Sequence, residues 1–389
     1  MGKQLILSAL LLIGIFSCNT KSQLSKIHDI IHETEKEYAP DSRTAIFKIE
    51  LKNTTPIIIK GETNLAEAKS SLLSRIRVAE IPIQDSILLL PDKRIGDNKF
   101  ALINVSVANL RVNPKHSAEL ATQAILGTPV NVLQYKSGWY LVQTPDKYIA
   151  WTNAGSLVLL DEEELKKWKA ASKIIYLDTY GFSMNESGTQ RISDLVSGNV
   201  FVLDHETKLH FVVTYPDGKT AIIAKNEAEI LSSWFDQITL SGRSISNISK
   251  DLMGIPYLWG GTSTKGLDCS GFTKTVYFLH GLVIPRDASQ QVQIGELVDE
   301  NKDFSQLQVG DLLFFGRKND NQSEQIIHVG LWLGNNEFIH ASGDVHISSM
   351  DSLAENFDRY NLERYLRSKR IVGDSAGSIP GIPDIYYQN

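Results

Sequence analysis

Cys269 is the residue of this sequence with the most evident capacity for nucleophilic chemistry. It follows a glycine-rich loop and precedes apolar residues at helical spacing, which predicts that it lies in the first turn of a helix. The positive end of the helix dipole favours a thiolate at such a position, and the thiolate is the nucleophilic form of cysteine. The chain contains one other cysteine, Cys18.

Two histidines follow at positions where they could accept the proton of this thiol. His328 lies in the apolar run 326–333 and His340 in the run 337–341, and each run predicts a short strand. The sequence Gly334-Asn335-Asn336 between them is typical of a hairpin turn, which would place the two imidazoles side by side. A single histidine in a strand is more often structural. A thiol, a base and a third polar group that orients the base are nevertheless the set that acyl transfer requires.

Length and composition limit the classes of protein that these residues can belong to. The chain has 389 residues, of which 42% are hydrophobic, and this is enough for several domains with cores of their own. The formal charge is −6, and charges of both signs are mixed along the sequence without a basic stripe. Nucleic acid is therefore not an expected partner.

The first residues predict export. The apolar run 5–16 follows Lys3 and is too short to span a membrane, as is typical of a signal peptide. Ile15-Phe16-Ser17-Cys18 resembles a bacterial lipobox, which predicts a lipoprotein signal over 1–18 and a lipid on Cys18. The alternative is an ordinary secreted protein. In both cases Cys269 is an unpaired thiol in an oxidising compartment, which favours a chemical role for it.

Five further segments follow along the chain. Closely spaced strands with turns between them predict small β-barrels, whereas a Gly- and Pro-rich end predicts an extended tail. Asp161–Ala171 is predicted to be a helical connector between the two barrels. The predicted segments are an N-terminal helix and strand region without an assigned function (19–98), a first barrel (99–160), a second, barrel-like region (171–240), a catalytic domain (243–372) and the tail (373–389).

The catalytic region resembles the NlpC/P60 cysteine peptidases over about 245–370. The resemblance implies an α+β, papain-like fold in which the nucleophile helix packs on a small antiparallel sheet. It implies Cys269 as nucleophile, His328 as base and His340 as the residue that orients the base. Tyr257 would help the Cys269 amide to hold the oxyanion, or would be a core aromatic. The motifs that carry the resemblance are Pro256–Gly261, Leu267–Phe272, Gly310–Phe315, His328–Gly330 and Phe338–Ala341.

The first barrel resembles a bacterial SH3 (SH3b) domain through Ala108–Arg111, Leu126–Val130 and Gly138–Tyr140. Two such barrels before a peptidase domain resemble the arrangement of γ-D-glutamyl-L-diamino acid endopeptidases. This resemblance implies hydrolysis of the γ-D-glutamyl–diamino acid bond in peptidoglycan-derived stem peptides that carry a free N-terminal L-Ala. It also implies that the first barrel closes one end of the groove, that the protein is a monomer, and that no metal or organic cofactor is needed.

The same resemblance implies a set of substrate-binding residues. Asp268 would receive the substrate amine, or would cap the nucleophile helix, or both. Tyr148 and Glu119 would act with it, and their alternatives are a barrel-core tyrosine and a solvated loop charge. The segment Pro285–Ser289 matches a family segment that lines the pocket, which implies Asp287 and Ala288 as substrate-binding residues. Some relatives carry Ser in place of Ala288. The alternative for Asp287 is a structural salt bridge with Arg286. The full predicted set is Asp268, Ser270, Tyr148, Glu119, Trp259, Asp287 and Ala288.

Other functions remain open at this point. A non-catalytic protein that binds cell wall would contain SH3b barrels, but it would not need a thiol beside two histidines. An endopeptidase that cleaves cross-links or stems of intact wall would need an open groove. An acyltransferase would share the Cys–His chemistry. A zinc ion on Cys269, His328 and His340 is a further alternative.

Overall fold

The structure is a computed structural model that describes residues 22–371 and 379–387. The predicted signal peptide and its lipidation residue, Cys18, lie outside the described residues. The described chain divides into two compact units. One contains the residues up to Gly96 together with 133–135, and the other contains 97–132 and the residues from Lys136 onward.

The first unit packs two helices against a three-stranded sheet. Strand β1 is antiparallel to β2, and β2 is parallel to β3 through the helix between them. The apolar faces of both helices meet the sheet in a core that contains Ile27, Ile59 and Leu72. The elements are α1 (22–38), β1 (Phe47–Lys52), β2 (Ile57–Thr63), α2 (Ala66–Val78) and β3 (Ile83–Leu89).

The segment predicted to be the first barrel forms one seven-stranded sheet with the strand order β10-β4-β7-β8-β9-β5-β6. The turn between β7 and β8 contains Ser137 and Gly138, both with positive φ, as a tight hairpin requires. The strands are β4 (Phe100–Ile103), β5 (Val107–Arg111), β6 (Leu120–Ile125), β7 (Pro129–Lys136), β8 (Trp139–Gln143), β9 (Ile149–Asn153) and β10 (Leu157–Leu160).

A helix and a second seven-stranded sheet follow. Helix α3 (Glu162–Ala170) begins at Asp161, whose side chain accepts the Glu164 amide in a capping box. The sheet has the order β13-β12-β16-β15-β14-β11-β17. Its strands and the helix after them are β11 (Lys173–Tyr176), β12 (Tyr180–Met184), β13 (Arg191–Val196), β14 (Val200–Glu206), β15 (His210–Thr214), β16 (Thr220–Ala224), β17 (Ala228–Ile230) and α4 (Leu231–Gln237).

The catalytic region packs helices on a six-stranded antiparallel sheet of order β20-β25-β21-β22-β23-β24, so the predicted α+β fold class is confirmed. Helix α6 packs on β22 and β23. Its elements are α5 (Gly242–Asp251), β18 (Thr262–Ser263), β19 (Gly266–Leu267), α6 (Cys269–Phe278), α7 (Ala288–Gln291), β20 (Glu296–Asp299), β21 (Leu312–Lys318), β22 (Glu324–Gly334), β23 (Glu337–Ser342), β24 (Asp344–Ser349), α8 (Arg359–Glu363) and β25 (Tyr365–Arg370).

The described end of the chain is not the extended tail that its Gly and Pro content predicted. Residues 382–386 form a helix, α9 (Ile382–Tyr386), with Pro383 in its first turn. Ile382 and Tyr386 are buried in an apolar cluster with Ile175, Trp234 and Val283. The prediction was wrong because apolar residues three or four apart bury one face of a short helix, and this burial outweighs the local preference of glycine and proline for extended chain.

Among residues 22–371 and 379–387, no helix is both long and apolar enough to cross a bilayer.

Candidate active site

Cys269 is the first residue of α6, and the prediction that it lies in the first turn of a helix is confirmed. Asp268 caps this helix, since its Oδ1 accepts the Gly271 amide at 2.7 Å. Its other oxygen accepts the Gly260 amide at 2.9 Å, which ties the preceding glycine loop to the same carboxylate. The position of the thiol is therefore fixed by hydrogen bonds to the residue just before it.

Arg286 completes the coordination of that carboxylate. Its guanidinium is fully buried and donates to both oxygens of Asp268, at 2.5 and 3.1 Å. It also donates to Ser270 Oγ at 2.9 Å and to Thr122 Oγ1 of the first sheet at 3.0 Å. Asp287 is 3.9 Å from the guanidinium, so the main ionic partner of Arg286 is Asp268 rather than Asp287. Asp268 is thus a cap and a salt-bridge partner, and its role toward a substrate amine stays a prediction.

His328 on β22 and His340 on β23 lie side by side, as the hairpin predicted. The turn between the strands places Asn335 and Asn336 at φ of 52° and 61°, which asparagine tolerates. His328 Nε2 and His340 Nδ1 are 2.7 Å apart. On the far side of His340, its Nε2 is 3.1 Å from Ser348 Oγ on β24.

The row formed by His328, His340 and Ser348 favours the tautomer of His328 that can act as a base. A base must have a free lone pair toward the thiol, and for His328 that is Nδ1, because Nε2 is bonded to His340. His328 must then carry its proton on Nε2 and donate it to His340 Nδ1. His340 in turn carries its own proton on Nε2, where Ser348 Oγ is the acceptor. Ser348 is therefore the last member of this row of hydrogen-bonded side chains.

The sulfur lies against the strand that carries the base. The Val329 amide, next to His328 in the chain, donates a hydrogen bond to Cys269, and the Ser270 amide does so as well. Cys269 and Val329 also share the apolar core between α6 and the sheet. On the neighbouring strand, the ring of Phe315 lies 5.7 Å from that of His328. The thiol is thus hydrogen-bonded to the residue that follows His328, and His328 is hydrogen-bonded to His340.

Burial keeps both members of the pair neutral. It raises the pKa of the Cys269 thiol to about 11, and the Asp268 charge adds to this effect, while the Val329 amide and Arg286 oppose it. Burial also lowers the pKa of His328 well below its ordinary value, and lowers that of His340 to about 3. The helix dipole alone predicted a favoured thiolate, but desolvation of the buried sulfur outweighs it. The resting pair is a thiol beside a neutral imidazole.

Tyr257 is half-buried at the edge of the same core. Burial raises the pKa of Tyr257 above its ordinary value. The Asp268 carboxylate, and a negative charge on Cys269 when the thiol is ionised, add to this effect. The phenol therefore keeps its proton and remains a hydrogen-bond donor close to the sulfur. This fits the predicted oxyanion role and also fits partial burial in the core, so the role stays a prediction.

The first sheet contacts the loop that leads to the nucleophile. Glu119 accepts a hydrogen bond of 2.8 Å from the indole of Trp259, and both side chains are exposed. Gln123 Oε1 accepts the Thr262 amide at 3.0 Å and the Ser263 hydroxyl at 2.9 Å. The sheet that precedes the catalytic region is thus attached to the rim of the site.

The remaining predicted residues lie around the same boundary. Tyr148 is buried and lies within electrostatic range of Arg286. Asp287 precedes α7 in a capping box with Gln290, and Ala288 is its buried first residue. Helix α7 packs against β22. Asp268, Ser270 and Tyr148 therefore gather around Arg286, whereas Glu119 and Trp259 form a separate pair.

Two groups of this site were not identified from the sequence. Ser348 has no signal in the sequence, because a serine in a strand is common and only the fold of β24 brings it to His340. For Arg286 the sequence offers a salt bridge with Asp287 only as an alternative, and it gives no signal for the pairing with Asp268 that the structure shows. Among the residues that the structure describes, no group of three His, Cys, Asp or Glu side chains is arranged to hold a metal ion.

Comparisons with known proteins agree with this geometry. The model of the NlpC/P60 family matches residues 254–366, and that of the bacterial dipeptidyl-peptidase Sh3 domain matches residues 110–157. The γ-D-glutamyl-L-lysine dipeptidyl-peptidase of Bacillus cereus is 32% identical over 231 residues, which are 57% of this chain and 67% of that protein. Dipeptidyl-peptidase 6 of Lysinibacillus sphaericus is 27% identical over 262 residues, or 64% of this chain and 92% of that protein.

A solved structure supports the fold. The crystal structure of an NlpC/P60 family protein from Bacillus cereus superimposes with a TM-score of 0.60 at 27% sequence identity. The match covers 70% of this chain and 100% of that protein, so it includes more than the catalytic region.

The neutral resting pair predicts how the thiol reacts with iodoacetamide. Because the pKa of Cys269 is raised to about 11, the thiolate fraction grows as pH increases through the neutral and alkaline range. The rate of Cys269 alkylation, followed by peptide mass spectrometry, should rise about 10-fold per pH unit between pH 7 and 10. His328→Ala should leave this profile in place. A rate that is already constant below pH 8, and that falls in His328→Ala, would instead indicate a resting thiolate–imidazolium pair.

The histidine row predicts a role for the serine at its end. Ser348→Ala removes the acceptor that holds the His340 proton on Nε2. We expect kcat to fall about 5-fold, as for the loss of one hydrogen bond, with little change in KM. Ser349→Ala is the matched control, because the Ser349 hydroxyl donates to the Asn336 carbonyl and not to a histidine. Equal kcat in the two variants would contradict the role of Ser348.

Proposed function

Because the chain belongs to the NlpC/P60 family of cysteine peptidases, we propose that it hydrolyses the γ-D-glutamyl–diamino acid bond of peptidoglycan-derived stem peptides with a free N-terminal L-Ala. The observation that carries this proposal is the attachment of the first sheet to the loop before Cys269. A groove closed at that end accepts a short acyl portion and excludes a long one. The substrate class follows the name of the relative from Bacillus cereus.

The geometry supports a two-step acyl transfer. The Cys269 sulfur attacks the γ-carbonyl of D-Glu while the thiol proton passes to His328 Nδ1. The S–C bond forms, the C–N bond breaks, and His328 returns the proton to the leaving amine. Water then attacks the thioester, gives a proton to His328, and the thiol is regenerated. The Cys269 amide and the Tyr257 hydroxyl are the donors for the oxyanion, and each such donor is worth about 3 kcal/mol.

A free amine at the substrate N-terminus is supported by two carboxylates at the boundary with the first sheet. Asp268 lies with Tyr148 around Arg286, and Glu119 lies apart from them, bonded to Trp259. The Arg286 guanidinium balances the charge of Asp268, whereas Glu119 accepts one hydrogen bond from the uncharged indole of Trp259. An ammonium group that reaches either carboxylate gains a charge-assisted hydrogen bond.

The test is cleavage of L-Ala-γ-D-Glu-L-Lys beside the same peptide with an acetylated N-terminus, with products identified by mass spectrometry. We expect release of L-Ala-γ-D-Glu from the free peptide and a loss of at least about 10-fold in kcat/KM on acetylation, since an ammonium contact is removed. Cys269→Ala is the inactive control. Equal cleavage of both peptides would reject recognition of the amine, and cleavage of neither would reject the proposed substrate.

We also propose that the protein is an exported lipoprotein anchored through Cys18, on the strength of the sequence 15–18 after a short apolar run. When the full chain is produced in a bacterial host, the mature protein should be found in the membrane fraction and gain the mass of a diacylglyceryl group. Cys18→Ala should lose both properties and keep its peptidase activity. A wild-type protein that is soluble and without added lipid mass would overturn the anchor.

A further inference from the structure

Arg364 lies directly after α8 and is held in one orientation. Its guanidinium carbon is 4.2 Å from the centroid of the Tyr360 ring, and its Nε donates to Asn361 Oδ1 at 2.9 Å. Among the described residues, no carboxylate forms an ion pair with this guanidinium. Asp358, whose charge acts on Arg364, accepts hydrogen bonds from Asn361 instead. A partly buried, oriented guanidinium without a direct ion-pair partner can bind an anion.

The guanidinium is close to the catalytic pair. The Gly316 amide donates to the Arg364 carbonyl at 2.8 Å, and the preceding residue, Phe315, is the cross-strand partner of His328. The charge of Arg364 acts on both Cys269 and His328. A group bound to Arg364 would therefore lie on the Phe315 side of the catalytic pair.

The sheet order shows on which side of the scissile bond Arg364 lies. The loop bound to the first sheet reaches the turn between β23 and β24, where the Tyr257 amide donates to the Gly343 carbonyl at 2.8 Å. Arg364 lies at the other side of β22, between β21 and β25 in the order β25-β21-β22-β23-β24. His328 on β22 is thus between the two. If the acyl portion occupies the closed side, the leaving diamino acid extends toward Arg364.

A pocket on that side is electropositive. It has a volume of about 380 Å³, and its lining includes Arg317, Lys318, Tyr360 and Arg364. Its acidic member, Glu363, is paired with Arg359 at 2.7 Å. Three basic side chains and one neutralised acid favour an anion, and the planar guanidinium over an aromatic ring favours a carboxylate.

We propose that Arg364 and this pocket bind a carboxylate of the leaving diamino acid, so that the enzyme selects its substrate on both sides of the scissile bond. The inference rests on the proposed function, because it takes the D-Glu carbonyl to be the group that Cys269 attacks. The carboxylate has two sources: the main-chain carboxylate of a C-terminal diamino acid, or the side-chain carboxylate of diaminopimelate.

The kinetic test compares L-Ala-γ-D-Glu-L-Lys with its C-terminal amide. For the wild-type enzyme we expect kcat/KM to be about 10-fold higher for the acid, as for one charge-assisted hydrogen-bonded pair. Arg364→Gln should bring this ratio close to 1 mainly by slowing the acid. Arg359→Gln is the matched control, since it removes an exposed charge from the same helix and should keep the wild-type ratio.

The diaminopimelate peptide amidated at its main-chain carboxylate separates the two sources. If it is cleaved faster than the lysine amide by wild type but not by Arg364→Gln, the side-chain carboxylate also reaches Arg364. Wild-type rates that do not depend on either carboxylate would overturn the inference. An equal loss for acid and amide in Arg364→Gln would overturn it too, because it would show an effect on the thiol rather than on binding.

Calorimetry on Cys269→Ala removes the effect of Arg364 on the thiol. The acid peptide should bind about 10-fold more tightly than the amide, and the double variant with Arg364→Gln should bind both equally. Equal affinity of the two peptides for Cys269→Ala would reject the subsite. Failure of the proposed function is a distinct result, because the wild-type enzyme would then release no L-Ala-γ-D-Glu from any of these peptides.

Discussion

The buried salt bridge between Asp268 and Arg286 is the interaction on which the rest of the site depends. Both side chains are removed from solvent, and isolated charges there would cost several kcal/mol each. The cost is offset because the carboxylate also accepts two backbone amides and the guanidinium also binds Ser270 and Thr122. One ion pair thus joins the start of the nucleophile helix, the glycine loop before it and the first sheet.

The same ion pair affects the pKa of the Cys269 thiol. A bare carboxylate beside Cys269 would raise the pKa of the thiol further, and Arg286 opposes this effect. Burial still dominates, so nucleophilic attack must coincide with proton transfer to His328. That transfer requires an unprotonated Nδ1 on His328, and donation from Nε2 along the row to His340 and Ser348 leaves Nδ1 unprotonated. The site thus prepares a proton transfer rather than storing a thiolate.

The proposed substrate selection rests on what lies on each side of His328. On one side, Glu119 and Gln123 accept hydrogen bonds that attach the first sheet to the loop before the nucleophile. On the other side, an open pocket with basic walls contains Arg364. This asymmetry suits a short acyl portion with a free amine and a leaving residue with a carboxylate. It is produced by the sheet order, which places β22 between the two surfaces.

Features that depend on neighbours along the chain could be predicted from the sequence alone. The start of α6 at Cys269, the hairpin between the two histidine strands and the strands of the first sheet follow from caps, turn residues and apolar periodicity. These signals are local, so they can be read without knowing the fold. The tertiary structure alone decided that Arg286 pairs with Asp268 rather than with its neighbour Asp287, that Ser348 ends the histidine row, and that the chain end packs as α9. It also decided that the thiol is neutral at rest, because a pKa depends on burial and on charges distant in sequence, and neither is encoded in any single segment.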